Sequence, residues 1–213
     1  AYVSAVPEDH ILDGRYESGE EARVRKAATI LKDSPLYLAQ ISQFNADDLE
    51  ATIRKYKLKH NIAFVFFDYI HTSIKMLEEI SRKSRGVSLR EDNVLVMFAD
   101  RMKSLANRLN IHIDSSTQAN GDWKGSDDPD QSLIRGSKAI ADKVDIGICV
   151  LSPSQKDLAA VQSILTQQGH AFMKHPNLVY HVYNVSRGKL HHVKVFVYFD
   201  SGTMRTKDIF VKD

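Results

Sequence analysis
The chain has 213 residues, 43 % hydrophobic and 26 % charged, the balance of one ordinary globular domain with room for a sizeable core. Its net charge of +2 is too small to mark a nucleic-acid-binding protein by itself, so any basic surface must be local. The one cysteine, Cys149, excludes an internal disulfide and points to a reducing, cytoplasmic setting, and no apolar run reaches the roughly 18 residues of a membrane span. The opening "AYVSAVPEDH" has neither the charged nor the apolar region of a signal peptide, and without an initiator Met it suggests a piece of a longer chain.

In chain order, residues 18–32 predict a helix, with Ser18 as cap, acids early and lysines late. "PLYLAQI" (35–41) predicts a short strand. Residues 45–60 predict a second helix capped by Asn45. "IAFVFF" (62–67) is apolar without alternation, which predicts a strand covered on both faces, as in a parallel sheet. A polar stretch, 71–90, precedes a long helix at 91–110. "IHIDSST" predicts a strand, and "QANGDWKGSDDPDQ" a loop rich in Gly and Asp. Residues 132–144 predict a helix, "DIGICVL" (145–151) another buried strand and 152–168 another helix. The rhythm then changes. Residues 178–211 alternate β-branched and aromatic residues, broken at "SRGK" and "DSGT", which predicts antiparallel hairpins. Strand–helix alternation followed by a meander predicts one α/β layered domain with an antiparallel extension.

The strand at 62–67 ends on Asp68. Ligands of open α/β sheets sit outside the carboxyl ends of the strands, and a buried carboxylate needs a partner or a metal. Asp68 therefore reads either as a Walker B-type acid holding the Mg²⁺ of a bound nucleotide or as a cap on the following loop. Gln118, at the tip of the next strand, reads either as a γ-phosphate sensor or as a loop hydrogen-bonder.

In combination the motifs resemble the DnaB-type replicative DNA helicases over about residues 10 to 211. The matching residues are Asp68-Tyr69-Ile70, Met102-Lys103-Ser104-Leu105-Ala106, Thr117-Gln118 with Asn120, Leu133-Ile134-Arg135-Gly136-Ser137, Asp145 and Arg187-Gly188, in the family's order. The resemblance implies a RecA-like ATPase core with a mostly parallel central sheet, working as a hexameric ring on single-stranded DNA with ATP and Mg²⁺. Primase and a helicase loader are the further partners it implies. Asp68 would be the Walker B acid and metal ligand, and Gln118 the γ-phosphate sensor. Arg187 would be the arginine finger that reaches a neighbouring subunit. The family carries Lys where this chain has Asn184, so Lys189 is a candidate to share Arg187's role. The family's DNA-facing loops correspond to "SRKSRG" (81–86) and "NGDWKG" (120–125). Arg82, Lys83, Arg85 and Lys124 are their phosphate-contacting candidates, and the acids around Trp123 weaken a stacking role for that ring.

No G-x-x-x-x-G-K-[ST] phosphate loop occurs in the 213 residues, so the chain is expected to be inactive alone: either the C-terminal part of a helicase domain, which the fit of the other motifs favours, or a diverged member that no longer hydrolyses ATP. Two other classes stay open: a non-catalytic scaffold of a replication complex, and a recombinase or circadian-clock type ATPase on the same core.

Overall fold
In the computed structural model the described residues are 1–71, 73–83, 91–117, 143–170, 173–186 and 192–212. They pack as two compact units. One comprises residues 1–39, 148–182 and 192–213, the other residues 40–147 and 183–191.

The first unit opens with α1 (Glu8–Asp13), which ends at Gly14 in the left-handed region (φ 67°). α2 (Glu20–Lys32) follows. Its start differs from the sequence expectation, because Gly19 rather than Ser18 is the N-cap and no side chain caps the end. Glu20, the first residue of the helix, instead ties down the chain before it. Its buried carboxylate accepts the Glu17 N–H at 2.9 Å and lies 2.8 Å from His10 Nδ1. The strand expected at 35–41 is absent. Leu36 and Leu38 alternate as a strand would, but both are exposed, and an unpaired strand has no ladder to hold it.

α6 (Gln155–Gln167) begins at Ser154, whose hydroxyl accepts the Asp157 N–H at 3.1 Å. Its Val161 and Leu165 pack against Val179, Phe196 and Ile209. Those three come from β4 (Leu178–Val185), β5 (Val193–Asp200) and β6 (Arg205–Lys212), which pair antiparallel as the hairpin pattern predicts. The β5–β6 turn is closed by Asp200, which accepts the Gly202 N–H at 3.1 Å and the Thr203 hydroxyl at 2.8 Å. β3 (Ile146–Leu151) precedes β4 in a sheet of order β3-β4-β5-β6. β3 is not buried throughout: Ile146, Ile148 and Val150 are exposed on alternate positions.

The second unit is built on α3 (Ala46–His60), β1 (Phe64–Phe67), α4 (Ile74–Lys83), α5 (Glu91–Leu109) and β2 (His112–Ser115). α3 starts where Asn45 predicts. Asn45 Oδ1 accepts the Asp48 N–H at 2.8 Å and Asp48 Oδ2 accepts the Asn45 N–H at 3.1 Å, a reciprocal capping box. Its core joins Leu49 and Ile53 of α3, Met76 of α4, and Val94, Phe98, Met102 and Leu105 of α5, with Phe44 and Ile111. Val65 and Phe67 of β1 pack on this core. The other face of β1 is open: Phe64 is 64 % and Phe66 75 % exposed. Two-sided cover, expected from the unbroken apolar run, is not found among the described residues, whose helices bury one face. The stretch expected to be a loop after β1 carries α4, so Arg82 and Lys83 fall in a helix. The predicted helix at 132–144 and the loop at 118–131 lie outside the described residues, apart from 143–144, which are not helical.

α3 and α5 are also clamped by charge. Glu50, largely buried, accepts from Arg54 at 2.9 Å, Arg101 at 3.1 Å and Arg108 at 2.9 Å, while Arg101 also pairs with Asp47. The Arg54 hydrogen bond, with Arg101 and Arg108, holds the Glu50 carboxyl below its usual pKa.

Candidate nucleotide site
β1 and β2 pair in parallel, from Phe64 opposite His112 to Phe67 opposite Ser115. Parallel register brings both carboxyl ends to one edge, with Asp68 just past one strand and Ser116 just past the other. The tips are laced together. Ser115 Oγ donates to the Phe67 carbonyl at 2.6 Å, and Ser116 Oγ donates to Asp68 Oδ1 at 3.1 Å. The Ile70 N–H donates to the Ser116 carbonyl at 2.9 Å. The Asp68–Tyr69 peptide is cis. Beneath the tip, the rings of Phe44, Phe67 and Phe98 meet at centroid distances of 5.3 Å, 5.8 Å and 6.0 Å, an apolar footing for the residue before Asp68.

Asp68 is exposed, which corrects the premise that a buried carboxylate there demands a partner. Its environment fits Mg²⁺ on different grounds. Magnesium takes one or two carboxylates and completes its octahedron with waters and phosphate oxygens. An open strand tip carrying one carboxylate, oriented by a serine hydroxyl, matches that donor set. Among the described residues no group of three or more His, Cys, Asp or Glu could hold a metal by itself.

A second polar junction lies where β4 ends. The Ser186 N–H donates to the Asp145 carbonyl at 2.7 Å, and Ser186 Oγ donates to Asp145 Oδ1 at 3.1 Å. Asn184 Nδ2 donates to the Val144 carbonyl at 3.3 Å. Asp145 is ion-paired with Lys103 of α5, and Lys143 with Asp100 of the same helix at 3.1 Å. Asn184 therefore has a local structural partner.

Of the catalytic and binding candidates picked out by sequence, Asp68 alone has a described side-chain environment. Arg82 and Lys83 stand in the last turn of α4, not in a loop. Gln118, Arg187, Lys189, Arg85 and Lys124 lie outside the described residues. Sequence reasoning missed Ser116 and Ser186. The only signal for Ser116 is its place in the "SST" run at a strand end, and Ser186 sits in the "SRGK" turn pattern.

The family described as DnaB-like helicase C terminal domain matches residues 1–183. The chain is 41 % identical over 214 residues to the SPbeta prophage-derived uncharacterized protein YorI of Bacillus subtilis (strain 168), across 99 % of this chain and 42 % of that protein. It is 26 % identical over 146 residues to the replicative DNA helicase DnaB of Treponema pallidum (strain Nichols), across 68 % of this chain and 31 % of that protein. The chain thus spans less than half the length of either curated relative. Among solved structures it superposes on one described as an ATPase domain with a TM-score of 0.72 at 12 % identity, over 96 % of this chain and 66 % of that one. It superposes on a DnaB-like replicative helicase, described with its interactions with primase, with a TM-score of 0.71 at 12 % identity, over 96 % of this chain and 45 % of that one. These likenesses show the RecA-like fold of a helicase ATPase domain.

Proposed function
The chain belongs to the DnaB-like helicase C-terminal domain family, and from that membership we propose that it is part of a hexameric replicative helicase. In this reading ATP hydrolysis, with Mg²⁺, drives movement along single-stranded DNA and separation of the duplex in the cytoplasm. The observation that carries it is the strand-tip pair, Asp68 with Ser116, at the carboxyl edge of parallel β1 and β2. The 213 residues act as one partial RecA-like domain whose phosphate loop is supplied by the rest of the longer protein.

The roles divide as follows. Asp68 holds the cation directly or through water, and Ser116 keeps that carboxylate turned to the edge. Gln118, two residues further on, senses the γ-phosphate. Arg187, shared with or aided by Lys189, reaches a neighbour's nucleotide. Arg82, Lys83, Arg85 and Lys124 neutralise DNA phosphates. Bound ATP·Mg²⁺ supplies the phosphoryl group and the charge neutralisation; the protein supplies position and electrostatics. Primase is a proposed partner, supported by the primase-described structural neighbour, and a loader is proposed from the family resemblance alone.

A second reading, a non-catalytic replication module, is favoured by one fact: no phosphate loop occurs in these 213 residues. The longer protein separates the two. Single-strand-stimulated ATP hydrolysis and strand displacement on a forked duplex are expected. In Asp68→Ala, hydrolysis should fall at least about 100-fold, with circular dichroism unchanged, because metal-assisted charge stabilisation is worth several kcal/mol. A longer protein that binds the fork but turns over no ATP would favour the scaffold.

A further inference from the structure
The first unit holds a cavity of about 360 Å³ on the β5–β6 pair, with Lys174, Tyr198, Asp200, Arg205 and Lys207 in its lining. Its floor follows from the register. Tyr198 stands opposite Lys207 and Asp200 opposite Arg205, and the period of two along each strand puts all four on one face. Lys174, from the connection between α6 and β4, reaches this face, with Nζ 4.1 Å from the centre of the Tyr198 ring. Arg205 is braced by Tyr2: its Nε donates to the Tyr2 carbonyl at 2.9 Å, and the guanidinium lies 5.7 Å from the Tyr2 ring. That bond leaves the two terminal nitrogens of Arg205 for an anion.

Three cations thus meet one acid in this cavity. Asp200 is committed elsewhere. Its Oδ1 accepts the Gly202 N–H at 3.1 Å and its Oδ2 accepts the Thr203 hydroxyl at 2.8 Å, so both oxygens serve the β5–β6 turn. Among the described residues none of Lys174, Arg205 and Lys207 is ion-paired with a carboxylate, whereas Lys194, also on β5, lies 3.7 Å from Asp157. Cations gathered in a concavity without matching acids repel one another and draw in an anion. Two ammonium groups and a guanidinium suit phosphate oxygens. The volume exceeds the needs of a phosphate group alone and lies at the low end of the roughly 300–1,000 Å³ of small-molecule sites. Tyr198 supplies an aromatic wall for the rest of the ligand.

We infer that this cavity is a nucleotide-phosphate site additional to the one at the Asp68 edge. Lys174, Arg205 and Lys207 hold the phosphate, and the sugar and base lie along Tyr198. The ligand is a nucleotide, either free or as one unit of a single strand. None of these residues belongs to the proposed hydrolytic machinery, so the inference stands or falls independently of it.

The test is titration calorimetry of the 213-residue chain, which has no phosphate loop to compete for the probe. The probes are AMP, a short oligothymidylate and inorganic phosphate. AMP or the oligothymidylate should bind, and more tightly than inorganic phosphate. Lys174 and Lys207 are exposed, so replacing them leaves the core untouched. Lys174→Ala and Lys207→Ala should each weaken that binding about tenfold, and together about 100-fold, the scale of bonds to a charged group. Binding of AMP identifies a free nucleotide as the ligand. Binding of the oligothymidylate alone, with a salt slope reduced by about one in each lysine variant, identifies a single strand. If the 213-residue chain folds poorly, the longer protein is photolabelled instead, with an azido-nucleotide either free or placed within the oligothymidylate. The label should appear on β5 or β6 and be lost in both lysine variants. In the longer protein without DNA, both variants should keep the parent's kcat and KM for ATP. No binding of either nucleotide, binding that both variants retain, inorganic phosphate bound as tightly, or a raised KM for ATP would each overturn the inference.

Discussion
Asp68 takes its meaning from a neighbour 48 residues away. The acid ends an apolar run and can be picked out from local sequence, but the hydroxyl that orients it belongs to Ser116, which only the parallel register of β1 and β2 delivers. No local pattern marks that pairing. The same holds for Asp145, whose bond to Ser186 spans 41 residues. What could be read at this scale was therefore the candidate acid at a strand end, and what escaped was its hydrogen-bond partner. A measurable consequence follows. In the longer protein, Ser116→Ala keeps the carboxylate but frees its rotamer. Hydrolysis should persist, with half-saturation by Mg²⁺ shifted upward by roughly tenfold, the scale of one hydrogen bond to a charged group. A magnesium titration of ATPase activity reads this, and an unmoved curve would show that the hydroxyl does not orient the acid.

Among the elements, Asn45 with Asp48 starts α3 where the residue types predict, because capping is local, whereas the cap expected at Ser18 is not used and the helix expected from residue 152 starts only after Ser154. Asn45→Ala should cost about 1 kcal/mol of stability, measured by chemical denaturation. Elements that depend on distant cover were misread. The unbroken run at β1 does not reveal that Phe64 and Phe66 stay open, and "PLYL" alternates without finding a sheet to join. α2 lacks a side-chain cap, and its first residue, Glu20, forms a buried acid–histidine pair with His10. The Glu20 carboxyl is held below its usual 4.5, chiefly by the Glu17 N–H and then by His10. Hydrogen bonding to Glu20 holds His10 above its usual 6.5. The signs are opposite. The Glu20 contribution is present above about pH 4.5 and is lost as the pH falls through its lowered value. The His10 contribution is complete below about pH 6.5 and is lost as the pH rises through its raised value. The melting temperature should thus peak between these limits, and His10→Gln should flatten the alkaline limb. A variant that declines above about pH 6.5 as steeply as the parent would contradict the pairing.

For the whole molecule, the order of motifs made the RecA-like class legible, and the family match and the superpositions agree with it. The division into two compact units was not legible, because both draw on separated stretches of the chain. Without a phosphate loop, the purified 213-residue chain should hydrolyse ATP no faster than background, and robust turnover by it would mean that the phosphates are held in some other way. The central claim is that catalytic sites are shared between subunits of a ring. Mixing variants of the longer protein tests it most directly. Subunits with Arg187→Ala and an intact Asp68 are combined with subunits with Asp68→Ala and an intact Arg187, each inactive alone. Mixed rings contain interfaces where an intact acid faces an intact arginine, so part of the DNA-stimulated ATPase activity should return, rising and falling with the mixing ratio. Mixed rings shown to form, yet silent at every ratio, would contradict the account.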